Sequence, residues 1–190
     1  MLFLFLANIS LGSVAIPLKN TLQIIFTNNS VSESWQYIIW NYRIPKAFTA
    51  ILVGSGLGLS GLLMQTLFRN PLAGPFVLGI SSGASLGAAL LIMGASIFSG
   101  LFSFNIFNDA TLAIASSVGS FLVLFAVLSV AMKVKDTMSL LIIGLMFGSI
   151  TGAVVSILSY FTTAEKLQQY IYWSFGSLGD LSWSQLSLLS

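Results

Sequence analysis

The sequence predicts an all-α polytopic membrane protein, with about five transmembrane helices and the start of a sixth. Of its 190 residues, 56% are hydrophobic and only 6% are charged, and the mean hydropathy is +0.97. An ordinary soluble domain carries about 25% charged residues, so this chain has too few polar side chains to cover a surface that faces water. Because lipid offers no hydrogen-bond partners to the backbone, the apolar segments are expected to be helices.

The charged residues divide the chain into long apolar intervals, which can be compared with the roughly 20 residues that a helix needs to cross a bilayer. These intervals predict helices at 2–16, 47–68, 76–95, 110–132 and 137–161. The first is short for a full span, and a new apolar stretch near residue 183 is expected to begin a sixth helix. Residues 1–190 are therefore predicted to form a single transmembrane domain, which is incomplete.

The composition also excludes several classes of function. There is no cysteine and no histidine, which removes thiolate nucleophiles, imidazole bases and the usual zinc and haem ligands. No catalytic residue, metal site or cofactor is therefore predicted. The seven basic and five acidic residues are scattered, with no basic run that would follow a phosphate backbone, so nucleic-acid binding is not expected.

Glycines spaced four apart predict smooth faces on three of the helices. Small residues let helix backbones approach closely in lipid, where leucine gains nothing by leaving a lipid tail. The predicted packing positions are Gly54 and Gly58, then Gly79, Gly83 and Gly87, then Gly144, Gly148 and Gly152. Static packing explains such stripes, and a face that slides as a pathway opens is the alternative.

Aromatic residues mark one side of the predicted membrane domain. All four tryptophans and all five tyrosines flank the loops after the first, third and fifth helices, which share one side if the helices alternate. Anchoring normally uses both membrane surfaces, so this side is a candidate for protein docking, with ordinary anchoring as the alternative. Arg43 and Lys46 straddle Pro45 on this side, where snorkelling to lipid headgroups fits them equally well.

A rigid bend is predicted between the second and third helices. Residues 69–75 read Arg-Asn-Pro-Leu-Ala-Gly-Pro, and each proline restricts the residue before it to extended backbone. Irregular backbone of this kind is tolerated only outside the hydrocarbon or against protein and water. The bend is either a simple connector or a constriction at the mouth of a pore.

Six separated motifs then carry a resemblance to a known family. They read Arg-Ile-Pro-Lys at 43–46, Leu-Val-Gly at 52–54, Ser-Gly at 60–61 with Gln65, Arg-Asn-Pro-Leu-Ala at 69–73, Leu-Gly-Ile-Ser-Ser-Gly-Ala at 78–84 and Gly-Ser-Leu at 176–178. In this order they resemble the FecCD-type permeases, the membrane subunits of ABC importers for iron-siderophores, haem and cobalamin. The chain would cover roughly the first half of such a permease.

The resemblance implies a function and a set of partners. The chain would belong to a multi-pass permease of the bacterial inner membrane, which receives an iron chelate or cobalamin from an extracytoplasmic substrate-binding protein. It would pair with a second permease subunit, as a homodimer or, alternatively, with a related subunit, and a cytoplasmic ABC ATPase would hydrolyse ATP for it. Contacts with that ATPase would lie beyond residue 190. A secondary carrier or channel that needs no ATPase is the alternative.

The resemblance also assigns roles to particular residues of this chain. Arg43 and Lys46 match positions that dock the binding protein. Asn70 and Leu72 in the bend, with Thr137 and Met138 at the start of the fifth helix, match the constriction at the cytoplasmic mouth.

Overall fold

The computed structural model describes residues 2–26, 32–94, 109–134 and 136–179, together with Trp183 and Leu186. In these residues the chain is helical, with no strand. Three of the described helical segments are long and apolar enough to cross a membrane: Glu33–Phe68, Ala110–Ala131 and Met138–Phe161. The predicted class, an all-α polytopic membrane protein, is confirmed.

The chain divides into two compact units, which are Met1–Gly58 with Ser177–Ser190, and Leu59–Gly176. The helices of the first unit are α1 (Leu2–Ser10), α2 (Leu18–Phe26), α3 (Glu33–Ile38) and the first part of α4 (Ile44–Phe68). Its core is a cluster of buried aliphatic side chains: Ile9, Ile16, Ile24, Ile39, Ile44 and Ala47. The first helix ends at Ser10 instead of residue 16, and α2 lies where no helix is predicted.

A π-helical turn, Ile39–Arg43, joins α3 to α4 without a break. The N–H of Ile44 donates to the carbonyl oxygen of Ile39, five residues earlier. A proline ring inside an α-helix collides with the carbonyl four residues before it, and a π-turn widens the backbone at that position. The helix therefore begins well before the predicted residue 47, because the π-turn accommodates Pro45.

In its described residues, the second unit contains the end of α4 and four further helices. These are α5 (Ile80–Ile92), α6 (Asp109–Ala131), α7 (Thr137–Phe161) and α8 (Ala164–Phe175). Helices α5, α6 and α7 pack side by side with alternating direction, and two apolar clusters join them, one at each end. The sequence predicts spans at 110–132 and 137–161, and the corresponding helices in the structure are Asp109–Ala131 and Thr137–Phe161.

The two ends of this unit differ in composition. At the first, which we call the bend end, the end of α4 and residues 69–79 pack with the end of α6 and the start of α7. At the second, the aromatic end, α8 packs on the end of α5, the start of α6 and the end of α7. The tyrosine and tryptophan side chains of the unit all lie at the aromatic end: Tyr160, Tyr170, Tyr172 and Trp173.

The third predicted helix, at 76–95, is shorter in the structure. A 3₁₀ turn, Pro75–Leu78, comes first, and Gly79 has a left-handed φ of 73° that separates this turn from α5. Helix α8 is not among the predicted helices, because its glutamines and charged side chains keep it below the hydropathy of a span. Of the predicted sixth helix, only Trp183 and Leu186 belong to the described residues.

Candidate functional site

The glycines of α5 and α6 bring these two backbones into direct contact. A Cβ at Gly83 would lie 2.6 Å from the carbonyl oxygen of Gly119, and a Cβ at Gly87 would overlap the carbonyl group of Ala115. The Ser120 hydroxyl donates to the carbonyl oxygen of Ile80 across the same contact, at 3.1 Å. This close approach provides van der Waals contacts and an interhelical hydrogen bond, which are interactions that favour helix association in lipid.

A second glycine contact joins the start of α5 to α7. A Cβ at Gly144 would lie 2.9 Å from Cα of Leu78, and a Cβ at Gly79 would lie 3.0 Å from the carbonyl oxygen of Gly144. Gly148 faces the Ser82 hydroxyl, which lies 3.2 Å from its ideal Cβ position. Gly54, Gly58 and Gly152 make no such contact. An ideal Cβ at any of these three glycines would have no described heavy atom within 4 Å, apart from the backbone of its own helix.

The predicted bend begins with a Schellman motif at the end of α4. Arg69 has a left-handed φ of 48°, its N–H donates to the Thr66 carbonyl, and the Asn70 N–H donates to the Gln65 carbonyl at 3.1 Å. These two bonds satisfy carbonyls that a helix end otherwise leaves without partners. The usual residue at the left-handed position is glycine, so an arginine there is strained.

The remainder of the bend is also held by hydrogen bonds. The Asn70 side-chain oxygen accepts from the Leu72 N–H at 2.9 Å, and the Asn70 carbonyl accepts from the Ala73 N–H at 3.1 Å. Phe68 and Ala73 are buried and anchor the bend, whereas the side chain of Leu72 is 86% exposed. The bend is thus a fixed turn that presents one large apolar side chain at its tip.

The start of α7 lies at the same end of the unit as this bend. Leu140 and Leu141 pack against the apolar cluster that contains Phe68 and Ala73. Asp136 caps the helix, since its carboxylate accepts from the Ser139 N–H at 3.1 Å. Met138 is 59% exposed, while the side chain of Thr137 lies outside the described residues. The structure therefore brings the four predicted gate positions to one end of the second unit.

In the first unit, Arg43 is buried and engaged with the backbone of the N-terminal segment. Its Nη1 donates to the carbonyl oxygens of Ile9 and Ser10, at 2.6 and 2.8 Å, and its Nη2 donates to the carbonyl oxygen of Val14. Only 8% of the residue is exposed. The guanidinium thus satisfies two of the carbonyls that the end of α1 leaves without backbone partners.

Lys46 lies one helical turn from Arg43 and is exposed. Both line a cavity of about 320 Å³, whose other polar lining residues are Asn8, Ser13 and Tyr42. No hydrogen bond or ion pair joins the side chain of Lys46 to the described residues. Arg43 and Lys46 are predicted to share one docking role, but their environments differ. That role remains a prediction for both.

Several residues of these sites were not predicted from the sequence. Gly119 is one, although Ala115 stands four residues before it and gives the same small-residue signal. Phe68 and Ala73 are others, because the burial that makes them anchors depends on helices distant in sequence. The partners of Arg43 lie 29 to 34 residues away and leave no local pattern.

A bundle of apolar helices with close glycine contacts and a hydrogen-bonded bend at one end defines a multi-pass α-helical membrane protein. All of residues 1–190 match the FecCD transport family, and the chain belongs to that family. This family consists of ABC transporter permeases, which are transport subunits of the bacterial inner membrane. The resemblance found in the sequence motifs and the predicted location are confirmed.

Three relatives show the range within the family. The chain is 36% identical over 160 residues to the vitamin B12 import system permease protein BtuC of Klebsiella pneumoniae, covering 84% of this chain and 46% of that protein. It is 33% identical to the hemin transport system permease protein HmuU of Yersinia pestis, covering 100% and 54%. It is 31% identical to the molybdate import system permease protein MolB of Haemophilus influenzae, covering 98% and 54%.

A solved structure has the same fold. It is described as a metal-chelate type ABC transporter in an inward-facing conformation, and it matches with a TM-score of 0.77 and 27% identity, covering 98% of this chain and 53% of that one. The chain spans about half the length of the relatives it matches.

Proposed function

We propose that this chain forms part of the membrane permease of an ABC importer, which moves a metal chelate, haem or cobalamin from an external binding protein to the cytoplasm. The observation that carries the proposal is the match of all 190 residues to the FecCD transport family. The relatives are named for vitamin B12, hemin, molybdate and a metal chelate, and the first candidate for this chain is an iron chelate, either a siderophore complex or haem. The permease acts as a homodimer, and partner ATPases supply the energy.

The bend end of the second unit is proposed as the cytoplasmic gate. Leu72 stands exposed at the tip of a hydrogen-bonded turn, and Met138 stands exposed at the first turn of α7. Apolar side chains at a narrow point exclude water and hydrated ions, which is how a hydrophobic constriction closes a pathway. Asn70 fixes the tip of the turn, and Thr137 begins the helix that carries Met138.

The walls of the pathway are proposed to bind cargo weakly. No Lys, Arg, Asp or Glu lies inside α5, between Asp109 and Ala131 within α6, or within α7. A site that binds tightly also releases slowly, so a wall without charged ligands favours passage over retention. ATP-driven alternation of access, and not affinity, then sets the direction of transport.

The cavity beside Lys46 is proposed as a docking point for the external binding protein, with Arg43 as a further member of that surface. The Lys46 side chain is exposed and has no partner among the residues that the structure describes, which favours an acidic group on an approaching protein, since opposite charges steer association and fix its register.

Uptake into proteoliposomes tests the proposal. The full-length permease is reconstituted with its ATPase and its binding protein, and entry of ferric siderophore, haem, cobalamin and molybdate is measured in turn. We expect ATP-dependent entry of at least one chelate, which stops when the catalytic glutamate of the partner ATPase is replaced by glutamine. Entry that continues at full rate with the inactive ATPase contradicts the proposal and favours a secondary carrier or channel.

A further inference from the structure

The π-turn before α4 makes a hydrogen bond with a segment that is distant in the sequence. The indole N–H of Trp183 donates to the carbonyl oxygen of Trp40 at 2.8 Å, across 143 residues. We infer that Trp183 is a positioning residue, whose N–H takes the place of the backbone N–H that Pro45 lacks. The bond fixes the start of the predicted sixth helix to the π-turn.

The register of the turn explains why the carbonyl of Trp40 accepts from a side chain. The N–H of Ile44 donates to the carbonyl of Ile39, five residues earlier. In the same register the carbonyl of Trp40 would accept from residue 45, but Pro45 has no N–H to donate. Backbone carbonyls of folded proteins nearly always have a partner, and the indole of Trp183 is the partner of this one.

The same two residues, Pro45 and Trp183, favour the π-turn over a regular helix. In an α-helix the ring of Pro45 would collide with the carbonyl four residues before it. A regular helix would also rotate α3 by about 100° relative to α4, because the extra residue of the π-turn would be absorbed into the helix. Trp35 and Ile38, which pack against the aliphatic cluster of the first unit, would then turn away from it. Pro45 thus disfavours the regular helix, and Trp183 satisfies the carbonyl that the π-turn leaves without a donor.

Aromatic packing holds the indole in place for this bond. The ring centroids of Trp183 and Phe48 lie 6.3 Å apart, and those of Phe48 and Phe5 lie 5.9 Å apart in an edge-to-face arrangement. Aromatic pairs at such distances contribute stability beyond the area that they bury. Leu186, three residues after Trp183, is buried, and residues three apart share a helix face. The segment therefore packs on the side from which Trp183 reaches the turn.

A double-mutant cycle tests the inference, because Pro45→Ala supplies the missing backbone N–H. The equilibrium constant for folding of the full-length permease is measured in detergent, with and without Trp183→Phe, in the parent and in Pro45→Ala. We expect Trp183→Phe to lower this constant about fivefold more in the parent than in Pro45→Ala, which is the effect of one ordinary hydrogen bond. Trp173→Phe is the control, since Trp173 packs in the second unit and its effect should be the same in both backgrounds.

Hydrogen exchange of the Trp183 indole proton gives a second measurement that reports the bond itself. Its signal in the spectrum of 15N-tryptophan-labelled permease is identified by its absence from Trp183→Phe. We expect the proton to exchange at least about fivefold faster in Pro45→Ala than in the parent, because the new backbone N–H competes for the carbonyl of Trp40. The indole proton of Trp173 should exchange at the same rate in both proteins.

A third variant serves if Pro45→Ala does not assemble. Benzothienylalanine in place of Trp183 keeps the shape of the ring but has no N–H, and it should lower the folding constant of the parent about fivefold. A folding constant equal to that of the parent would overturn the inference. An equal effect of Trp183→Phe in both backgrounds would also overturn it, as would an indole proton that exchanges as fast in the parent as in Pro45→Ala.

Discussion

Gly83 and Gly119 face each other across the contact between α5 and α6, so closely that a Cβ on Gly83 would stand 2.6 Å from the carbonyl oxygen of Gly119. The hydrogen bond from Ser120 to the Ile80 carbonyl lies beside this contact. In lipid no hydrophobic force presses helices together, so close packing and polar contacts must supply the attraction. This contact and the one between Gly79 and Gly144 hold the three central helices of the second unit together.

Gly87→Ala is expected to destabilise the protein. The added methyl group would overlap the carbonyl of Ala115 and push α5 away from α6, and overpacking of this kind costs about 1–3 kcal/mol. Gly152→Ala is the matched control, because no described atom lies near its Cβ position and alanine is a better helix former than glycine. Unfolding in a detergent titration measures both. Equal stability of the two variants would contradict the packing role of Gly87.

Arg69→Gly is expected to stabilise the protein by about 1 kcal/mol. Arg69 occupies the left-handed position of a Schellman motif, with a φ of 48°, and a side chain in that conformation costs about 1–2 kcal/mol that glycine does not pay. Arg69→Ala is the control, because it removes the charge but keeps the Cβ. A gain of the same size in both variants would show that the charge, and not the backbone, causes the strain.

Leu72→Ala is expected to leave stability nearly unchanged but to open the proposed gate. Its side chain is 86% exposed, and substitutions at exposed sites usually change stability by no more than about 0.5 kcal/mol. Cargo should then leak through reconstituted vesicles while the ATPase is idle.

Leu78→Ala is the comparison for that variant, since Leu78 is 3% exposed and belongs to the apolar cluster at the same end. Truncation of a buried leucine leaves a cavity and costs about 2 kcal/mol or more. We expect lower stability there without a specific leak. If vesicles with the Leu72→Ala transporter leak cargo no faster than vesicles with the parent protein, the result would argue against a gate at Leu72.

Most of the fold class was predictable, because the intervals between charged residues and the length of a membrane span are both local features of the sequence. Helix ends were less so, since they depend on backbone conformation and on distant partners. Gly79 shows the first limit, because its left-handed φ shortens α5 although the surrounding residues remain apolar. Arg43 shows the second, because it donates to carbonyls at and after the end of α1, which lie more than 25 residues away in the sequence.

The candidate sites show the same contrast: their local features were predictable from the sequence, and their contacts with distant residues were not. The bend at residues 69–75 was predictable from two prolines and a glycine, which act through their own backbone. Its rigidity was not, because it depends on the burial of Phe68 and Ala73 against α6 and α7. Helix α8 was missed because it is amphipathic, and only its packed face, which includes Leu167 and Trp173, joins the core.

The central claim is that the helices of the second unit cross the membrane, with the bend end and the aromatic end on opposite sides. Leu72 and Tyr172 are both exposed, at 86% and 65%, and residues 1–190 hold no cysteine, so Leu72→Cys and Tyr172→Cys report one end each. The direct measurement is labelling with a membrane-impermeant maleimide in right-side-out and inside-out vesicles. We predict that Tyr172→Cys reacts only in the former and Leu72→Cys only in the latter. Reaction of both cysteines in the same vesicle orientation would contradict the claim.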